Sequence, residues 1–458
     1  MKIKVLLFSI ALVAAVSCGT ASKVVKTKVP ARPAGQENVI GLRTAPMETV
    51  RIGVVGLGMR GGFAVERLSF VPGAVVTAVC DLEPDRAEKS RSWLVAKGCP
   101  EPAVFTGDKD AWKQLCEMDG VDLVYICTDW VHHAPIAKYA MEHGKHTAIE
   151  VPAALNLDEI WALINTSERT RRHCMMLENC VYDFFEMSAL QMAQEGVFGE
   201  VIHCEGAYCH NLDKVWGKYW HGWRQEYNRN HRGDLYPTHG LGPVCQVLNI
   251  HRGDRFRTLV SMDTKPFNGN KIMERHTGEP CDDFKNGDET CTLISTENGK
   301  TILIEHDVLT PRPYSRMYQI VGTEGYASKY PIQQICLHEY GAGDGGARSI
   351  PDEKVLSNEE LEAMLAAYPG KILTPELKAL AKKVGGHGGM DFIMDYRLVY
   401  CLRNGLPLDM DVYDLAEWCC VAPLSAISIE NGNMPVEVPD FTRGAWNIVK
   451  GFSYAFAE

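Results

Sequence analysis

The feature that most constrains this chain is the glycine motif Gly56-Leu57-Gly58-Met59-Arg60-Gly61, which directly follows a β-branched run over 50–55. A helical pattern follows the motif, and a second predicted strand over 74–80 leads into Asp81, about 20 residues further on. This context predicts a Rossmann unit, in which the glycines and the helix N-terminus receive a pyrophosphate. Because Asp81 would accept from ribose hydroxyls and repel a 2′-phosphate, NAD(H) is favoured over NADP(H).

The alternation of strands and helices continues beyond the motif. Strands are predicted over 121–129, 145–151 and 173–178, and helices over 133–143 and 157–170. Ligands of a doubly wound sheet bind at the carboxyl ends of its strands, which places Glu150 and Asn179 at the predicted site.

The pattern changes after Asn179. A helix over 184–196 precedes strands over 201–208, 257–263, 289–295 and 301–307, with two shorter candidates at 318–322 and 325–329. The predicted fold class is therefore α/β: an N-terminal Rossmann domain with a doubly wound parallel sheet, then a C-terminal α+β domain with an open, mainly antiparallel sheet.

The chain of 458 residues is long enough for two or three domains, and its first residues read as an export signal. Residues 1–18 are predicted to be a signal peptide, and Ala15-Val16-Ser17-Cys18 resembles a bacterial lipobox, with simple cleavage as the alternative. Residues 19–47 are predicted to be a flexible tether, 48–178 the NAD-binding domain and 179–458 the substrate domain. The expected location is the bacterial cell envelope, with membrane contact only through a lipid on Cys18.

Charge and cysteine usage exclude several classes of protein. The chain has 47 basic and 58 acidic residues, a net charge of -11, and no basic stripe, so nucleic acid is not an expected partner. Many of the 16 cysteines lie in apolar runs, where they are expected to be buried thiols, not disulfides. No cysteine or histidine spacing is typical of zinc, so no metal is predicted.

The segment 214–255 is unusually dense in Trp, Tyr, His, Arg and Asn. Aromatic faces beside planar polar groups suit a sugar, which needs apolar platforms and hydrogen bonds. The alternative is an aromatic loop that only packs on the sheet.

Four segments carry a family resemblance. ICTDWVHHAPIAKYAMEHGKHTAIEVP (126–152) resembles the Gfo/Idh/MocA oxidoreductases, although Val151 stands where their Glu-Lys-Pro sequence has lysine. GDLYPTHGLGP (233–243), together with HDVLTPRPYSRMYQIVGTEG (306–325) and GGHGGMDFIMDYRLVYCLRNG (385–405), resembles glycoside hydrolase family 109. That branch is described as NAD-dependent α-N-acetylgalactosaminidase, so a glycan with terminal α-linked N-acetylgalactosamine is the implied substrate.

The resemblance implies hydrolysis by a redox route, which is an exception to the usual pair of carboxylates. Bound NAD+ would take a hydride from C3, a base would remove the C2 proton, the aglycone would leave, and water would add at C1 before C3 is reduced again. The outcome is hydrolysis with retention and no net consumption of NAD. An exported protein would then need only a tightly bound cofactor that is recycled in each turnover.

The family's functional residues map onto matching positions of this chain. His239 is the implied base for the C3 hydroxyl, Tyr236 would assist at C2 or the leaving group, and Tyr314 is the third catalytic candidate, with Tyr318 as its alternative. Each tyrosine has an orienting or packing role as its alternative. The implied cofactor contacts are Gly56, Gly58, Met59, Arg60, Gly61, Asp81, Trp130, His133, Glu150, Val151 and Asn179. The implied sugar contacts are Tyr208, Arg224, Tyr236, Pro237, Thr238, His239 and Tyr314.

Two other functions remain as alternatives. One is a sugar or inositol dehydrogenase of the Gfo/Idh/MocA type, against which Val151 and the export signal argue. The other is a secreted sugar-binding protein without activity, against which the histidine and tyrosines of 236–239 argue. A homo-oligomer through the open sheet face is expected for such folds.

Overall fold

A computed structural model describes residues 24–338 and 353–457. The signal peptide and the lipid-attachment site predicted within 1–18 lie outside the described residues.

The N-terminal half is a six-stranded parallel sheet with the order β3-β2-β1-β4-β5-β6. Its strands are β1 Val50–Val55, β2 Ala74–Asp81, β3 Ala103–Thr106, β4 Leu123–Ile126, β5 His146–Ile149 and β6 Cys174–Met176. Its helices are α1 Gly61–Leu68, α2 Pro84–Ala96, α3 Ala111–Glu117, α4 Trp130–Glu142 and α5 Leu157–Thr170. The edge strand β3 was not predicted from the sequence, because its run is only four residues long.

The strand order of this sheet reverses between β1 and β4, and ligands of doubly wound sheets bind at such a point. β1 pairs with β2 on one side and with β4 on the other, so the chain leaves β1 in one direction and β4 in the opposite one. All four residues of β4 are buried, as expected for a strand covered by helices on both faces. The resulting crevice lies at the carboxyl ends of β1 and β4, where a doubly wound fold binds nucleotides.

The C-terminal half is built on a nine-stranded mixed sheet. Its strands are β7 Val201–Cys209, β8 Phe256–Asp263, β9 Thr290–Thr296, β10 Thr301–Asp307, β11 Gln319–Gly322, β12 Gly325–Ser328, β13 Gln334–His338, β14 Glu353–Val355 and β15 Val436–Glu437. Its helices are α6 Phe184–Gln194, α7 Trp223–Asn230, α8 Thr238–Val247, α9 Phe267–Thr277, α10 Asn358–Ala367, α11 Pro375–Val384, α12 Met390–Arg403 and α13 Val412–Glu430. Only the pair β7–β10 is parallel, which confirms the predicted open, mainly antiparallel sheet.

Helices cover one face of this sheet and leave the other open. α13 packs on β8, and α8 packs on β7 and β10, while Met262 and Leu293 are exposed on the other face. Among the described residues, α13 is the one helix long and apolar enough to cross a membrane, but 78% of its most apolar window is buried in the protein. It therefore serves as a core helix here.

The segment before β1 differs from the predicted flexible tether over its described part, 24–47. Arg32 pairs with the fully buried carboxylate of Glu168, and Val39 is buried while its N–H donates to the hydroxyl of Tyr413. Val25 also bridges to Val436 beside the second sheet. The tether prediction is wrong for these residues, because a few widely spaced anchors hold the segment and leave no period in its sequence.

The described cysteines behave as predicted. Of the 15 described cysteines, 11 are buried. Burial raises the pKa of the Cys80 and Cys174 thiols to about 12, which keeps them protonated and unreactive.

Candidate active site

The glycine motif forms the tight turn between β1 and α1. Gly56 has a φ of +85°, and a Cβ there would lie 2.7 Å from the carbonyl of Cys127. A Cβ on Gly61 would lie 1.8 Å from the carbonyl oxygen of Gly56, so these two glycines are required by the turn itself. Gly58 differs, because a Cβ there would have only Arg86 Nη1 at 3.6 Å. Its open side faces the crevice, as a close approach of phosphates requires.

Asp81, at the end of β2, is buried and holds this turn in place. Its Oδ2 accepts from the N–H of Leu57 at 2.6 Å, and its Oδ1 accepts from the N–H of Glu83 at 2.9 Å. Arg86 lies 3.8 Å from the same carboxylate. The predicted ribose acceptor therefore lies at the expected strand end and also fixes the loop that would contact the pyrophosphate.

Two adjacent histidines of α4 lie in different surroundings. His133 is buried, with Nδ1 2.8 Å from the carbonyl of Pro152 and Nε2 3.1 Å from that of Thr128. His132, paired with Asp129, lines the crevice instead. His133 therefore braces the two strand ends, and its expected cofactor contact stays a prediction.

Arg60 and Asn179 meet on one carboxylate from the other half of the chain. Arg60 pairs with Glu150 at 2.9 Å and with Asp391 at 3.3 Å, and the amide of Asn179 donates to Asp391. Asp391 belongs to α12, and the Nδ1 atom of His387 lies 2.9 Å from it. Three predicted cofactor residues thus form one polar group with Asp391, a residue that the sequence did not single out. Val151 is buried next to them, at a cis peptide bond with Pro152.

The crevice has walls from both halves of the chain. It encloses about 330 Å³, and Gly58, Met59, Asp81 and Thr128 line it on the Rossmann side. The opposite wall comes from the aromatic segment of the second half: Lys218, Tyr219, Trp220 and Trp223. The aromatic segment predicted to serve a sugar therefore also covers the nucleotide crevice.

His239 lies at the start of α8 and contacts a buried carboxylate. Its Nδ1 is 2.7 Å from Oε1 of Glu178, which is fully buried just beyond β6. Burial alone would raise the pKa of Glu178, but His239 holds it below its usual value, so the carboxyl is ionised. Since a carboxylate can only accept, Nδ1 of His239 carries the proton of this hydrogen bond, and Nε2 is the ring nitrogen that remains for a substrate.

Close backbone contact fixes the position of α8. A Cβ on Gly206 of β7 would lie 2.4 Å from the carbonyl oxygen of Gly240, and a Cβ on Gly240 would lie 2.5 Å from the Ala207 nitrogen. Pro237 caps the helix, and Thr238 in its first turn is fully buried. These two residues begin α8 and so position the neighbouring His239. Their predicted contact with sugar stays a prediction.

An aromatic cage surrounds the guanidinium of Arg224. Arg224 lies 4.5 Å from the ring centre of Tyr236 and 4.9 Å from that of Trp130, and its Nη1 donates to the Tyr219 hydroxyl at 2.6 Å. No carboxylate hydrogen-bonds this buried guanidinium among the described residues, and its Nε has no partner there. Such a group has donors available for a neutral acceptor, such as a sugar hydroxyl or an amide carbonyl.

The tyrosines divide between the core and the group around Arg224, Tyr236 and His239, which is the proposed sugar cavity. Tyr208 stacks near Tyr236, with ring centres 4.6 Å apart, and its hydroxyl lies 3.0 Å from Nδ1 of His210. Tyr314 is half-exposed, with its ring edge-on to His210 at 5.1 Å. Tyr318 is buried, and its hydroxyl donates to the carbonyl of Glu186. The structure therefore favours Tyr314 over Tyr318 as the tyrosine of the PRPY segment that reaches the cavity.

Three residues of this site were missed from the sequence: Glu178, His210 and Asp391. Glu178 follows a predicted strand of the first sheet, so its position at the ligand edge was a usable signal. His210 directly follows β7, but nothing local shows that β7 lies beside α8. Asp391 carries no signal, because only tertiary packing brings α12 to the crevice.

Two groups of acidic, cysteine and histidine side chains lie within 4.8 Å of one another in the described residues. One is Glu178, Cys180 and His239, and the other is Glu289, Cys291 and Glu305. In the first group the Glu178 carboxylate is hydrogen-bonded to His239. The absence of a metal stays a prediction.

Comparison with families of known proteins divides the chain in two. A family described as "Oxidoreductase family, NAD-binding Rossmann fold" matches residues 50–178, and "Glycosyl hydrolase 109, C-terminal domain" matches residues 182–448. Curated relatives are similar along almost the whole chain. "Glycosyl hydrolase family 109 protein 1" of Bacteroides thetaiotaomicron is 61% identical over 440 residues, which are 95% of this chain and 93% of the relative. A "Glycosyl hydrolase family 109 protein" of Porphyromonas gingivalis is 59% identical over 440 residues, 95% and 93% of the two chains.

Solved structures share the fold at low identity. Levoglucosan dehydrogenase in complex with NADH and L-sorbose is 17% identical, with a TM-score of 0.62 over 86% of this chain and 100% of its own. An inositol dehydrogenase homologue from Azotobacter vinelandii, complexed with NADH and myo-inositol, is 17% identical, with a TM-score of 0.61 over 86% and 98%.

Proposed function

The chain belongs to glycoside hydrolase family 109 and carries an NAD-binding Rossmann domain, and on that premise we propose that it hydrolyses terminal α-linked N-acetylgalactosamine by a redox route. The observation that carries the proposal is the Glu178–His239 pair, held at the ligand edge of the nucleotide-binding sheet. A base beside the nucleotide-binding site can take the hydroxyl proton of a sugar carbon while that carbon loses a hydride. The absence of a lysine at Val151 disfavours the dehydrogenase alternative.

The residues present fit an NAD molecule. Gly58 leaves space in the crevice, Asp81 lies at the end of β2, and Arg60, which pairs with Glu150, lines the same crevice. The chemistry that bound NAD+ supplies is reversible acceptance of a hydride from C3 of the sugar. The side chains from Lys218 to Trp223 close the crevice from the second half, and this supports a cofactor that is retained between turnovers.

The chain's own groups have distinct tasks in this proposal. His239 Nε2 takes the proton of the C3 hydroxyl, and ionised Glu178 stabilises the imidazolium that forms. Tyr236, whose pKa burial raises well above its usual value, stays protonated and orients the sugar or assists the leaving group. Arg224 offers its free donors to the acetamido carbonyl or a neighbouring hydroxyl, which is why an N-acetylated sugar suits the cage.

Release of nitrophenol from 4-nitrophenyl α-N-acetylgalactosaminide tests the proposal. We expect release without added NAD+ and without a net rise in absorbance at about 340 nm. Net NADH formation from free sugar would favour the dehydrogenase, and binding of sugar without any turnover would favour a binding protein. His239→Ala is expected to abolish turnover and to retain bound NAD, whereas His143→Ala, at the exposed end of α4, is the control that should leave both unchanged.

We also propose that the protein is exported and lipid-anchored through Cys18. The support is the sequence of residues 1–18 alone. Incorporation of radiolabelled palmitate in the native host tests it, with Cys18→Ala expected to remove the label. A protein that is cleaved and secreted without label would show simple processing instead.

A further inference from the structure

One cationic side chain of the nucleotide crevice is held by carboxylates from both halves of the chain. Arg60 lines the crevice. Its Nε donates to Oε1 of Glu150 at 3.0 Å, and its Nη1 donates to Oδ2 of Asp391 at 3.3 Å. Glu150 directly follows β5 of the Rossmann half, whereas Asp391 lies in the first turn of α12 in the other half. The two carboxylates therefore contact different nitrogens of one guanidinium and fix its orientation.

A guanidinium that the protein already fixes is suited to bind an anion. Arginine has more N–H donors than the contacts of Arg60 with Glu150 and Asp391 use, so donors remain for a ligand in the crevice. A long side chain loses conformational entropy when a ligand orders it, and a side chain ordered before binding avoids that loss. NAD brings an anionic pyrophosphate to such a crevice. The orientation of Arg60 is therefore expected to influence NAD affinity.

Asp391 is itself fixed and ionised. Its side chain is 1% exposed, and it accepts from the amide of Asn179. Burial alone would raise the pKa of Asp391, but the hydrogen bond from His387 and the charges of Arg60 and Arg67 hold it well below its usual range. The carboxylate therefore keeps its charge and its place next to Arg60.

A second aspartate of α12 offers an internal comparison. Asp395, one helical turn beyond Asp391, pairs with Arg67 at 3.0 Å and accepts from the Tyr125 hydroxyl at 2.9 Å. Arg67 and Tyr125 are not among the described residues that line the crevice. Asp395 thus joins α12 to the Rossmann half in the core, whereas Asp391 joins it to a residue of the crevice.

We propose that Asp391 is a positioning residue for the cofactor, which sets NAD affinity by fixing Arg60. The family resemblance of the Rossmann half ends at residue 178, so a residue of the hydrolase half would then take part in holding the cofactor. The inference rests on NAD as the cofactor of the proposed function, and it is independent of the sugar that is hydrolysed.

A double-mutant cycle between Asp391 and Arg60 tests the proposal. The full-length variants are Asp391→Asn, Arg60→Gln and the two combined, and fluorescence titration with NAD+ gives the Kd of each. We expect each single substitution to weaken NAD binding about tenfold. Because Asp391 acts through Arg60, the double variant should bind NAD within about twofold of Arg60→Gln alone. A purely structural Asp391 would not give this dependence on Arg60.

Asp395→Asn is the matched control, since it removes a buried carboxylate from the same helix. It should lower the melting temperature and leave the Kd for NAD unchanged. If Asp391→Asn does not fold, Asp391→Glu replaces it in the cycle, because that variant keeps the charge and only displaces the carboxylate.

Three results would overturn the proposal. They are a wild-type Kd in the Asp391 variant, losses that multiply to about 100-fold in the double variant, and an equal loss of NAD affinity in Asp395→Asn. A wild-type protein that binds no NAD would instead contradict the cofactor of the proposed function.

Discussion

The nucleotide crevice and the sugar cavity are built in different ways. The crevice is formed mainly by short segments at successive strand ends of one parallel sheet, such as Gly56–Gly61, Asp81 and Thr128. The cavity brings together Glu178, Tyr208, Arg224, His239 and Tyr314, which come from a sheet edge, a strand, two helices and a loop. A regular topology repeats one local pattern, whereas the cavity depends on packing between distant elements.

The largest difference is expected between two buried glutamates that each face a histidine. Glu178→Gln should lower kcat on the order of 100-fold and leave NAD bound, because the neutral amide no longer stabilises a protonated His239. Glu417→Gln is the matched control, since Glu417 lies 3.2 Å from His251 in the core and accepts from the Phe256 N–H. It should lower the melting temperature without changing kcat, and an equal kcat loss in both variants would contradict the role of Glu178.

Alanine substitutions at two glycines of the crevice should affect different properties, NAD affinity for one and the melting temperature for the other. Gly58→Ala is expected to weaken NAD binding about tenfold at an unchanged melting temperature, because its Cβ would enter open space. Gly61→Ala is expected to lower the melting temperature, because its Cβ would lie 1.8 Å from the Gly56 carbonyl oxygen. Fluorescence titration with NAD and thermal melts give the two readouts. The reverse pattern would show that Gly58 does not face the cofactor.

Phenylalanine substitutions at Tyr314 and Tyr318 should likewise affect different properties, kcat/KM for the first and stability for the second. Tyr314→Phe should lower kcat/KM roughly tenfold, since its hydroxyl lies at the cavity and accepts from Arg316. Tyr318→Phe removes a hydrogen bond to the Glu186 carbonyl in the core and should cost about 1 kcal/mol of stability with normal kinetics. Steady-state assays and denaturant titrations decide between them. A kinetic defect confined to Tyr318→Phe would restore the alternative.

The smallest effect concerns Asp234, which lies under the YPTH turn. Burial raises its pKa to about 7, and one of its oxygens has no partner among the described residues. Because folding favours the protonated form, the contribution of Asp234 to the free energy of unfolding is fully present below the ordinary Asp pKa and is lost as the pH rises towards about 7. Asp234→Asn should melt with a smaller decrease between about pH 5 and about pH 8. A larger decrease in the variant would show that the carboxyl is ionised in the folded protein.

Much of the crevice could be predicted because its signals are local. The glycines, Asp81 and Glu150 lie at ends of strands that the sequence pattern shows, and a parallel sheet brings those ends together. The burial of His133 was not predicted, because its expected cofactor contact came from the family resemblance, which does not show which of two adjacent histidines points inward. The segment 24–47 was misjudged because single anchors such as Arg32 leave no pattern.

Less of the cavity could be predicted from residues alone. His239, Tyr236 and Arg224 came from a family resemblance, and neither spacing nor composition connects them with Glu178 or His210. Their contacts depend on α8 lying against β7, which requires the facing Gly206 and Gly240. The choice between Tyr314 and Tyr318 likewise needed the positions of both rings.

By itself the sequence determined the two-part architecture, the nucleotide crevice and the residue types of the sugar cavity. It did so because strand periodicity, glycine turns and buried apolar runs are local consequences of backbone geometry. Only the tertiary structure decided which carboxylate orients His239, that Asp391 of α12 joins Arg60 and Asn179, and that Tyr208 faces His210. These are contacts of a few ångströms between residues tens or hundreds of positions apart, and packing of whole elements sets such distances.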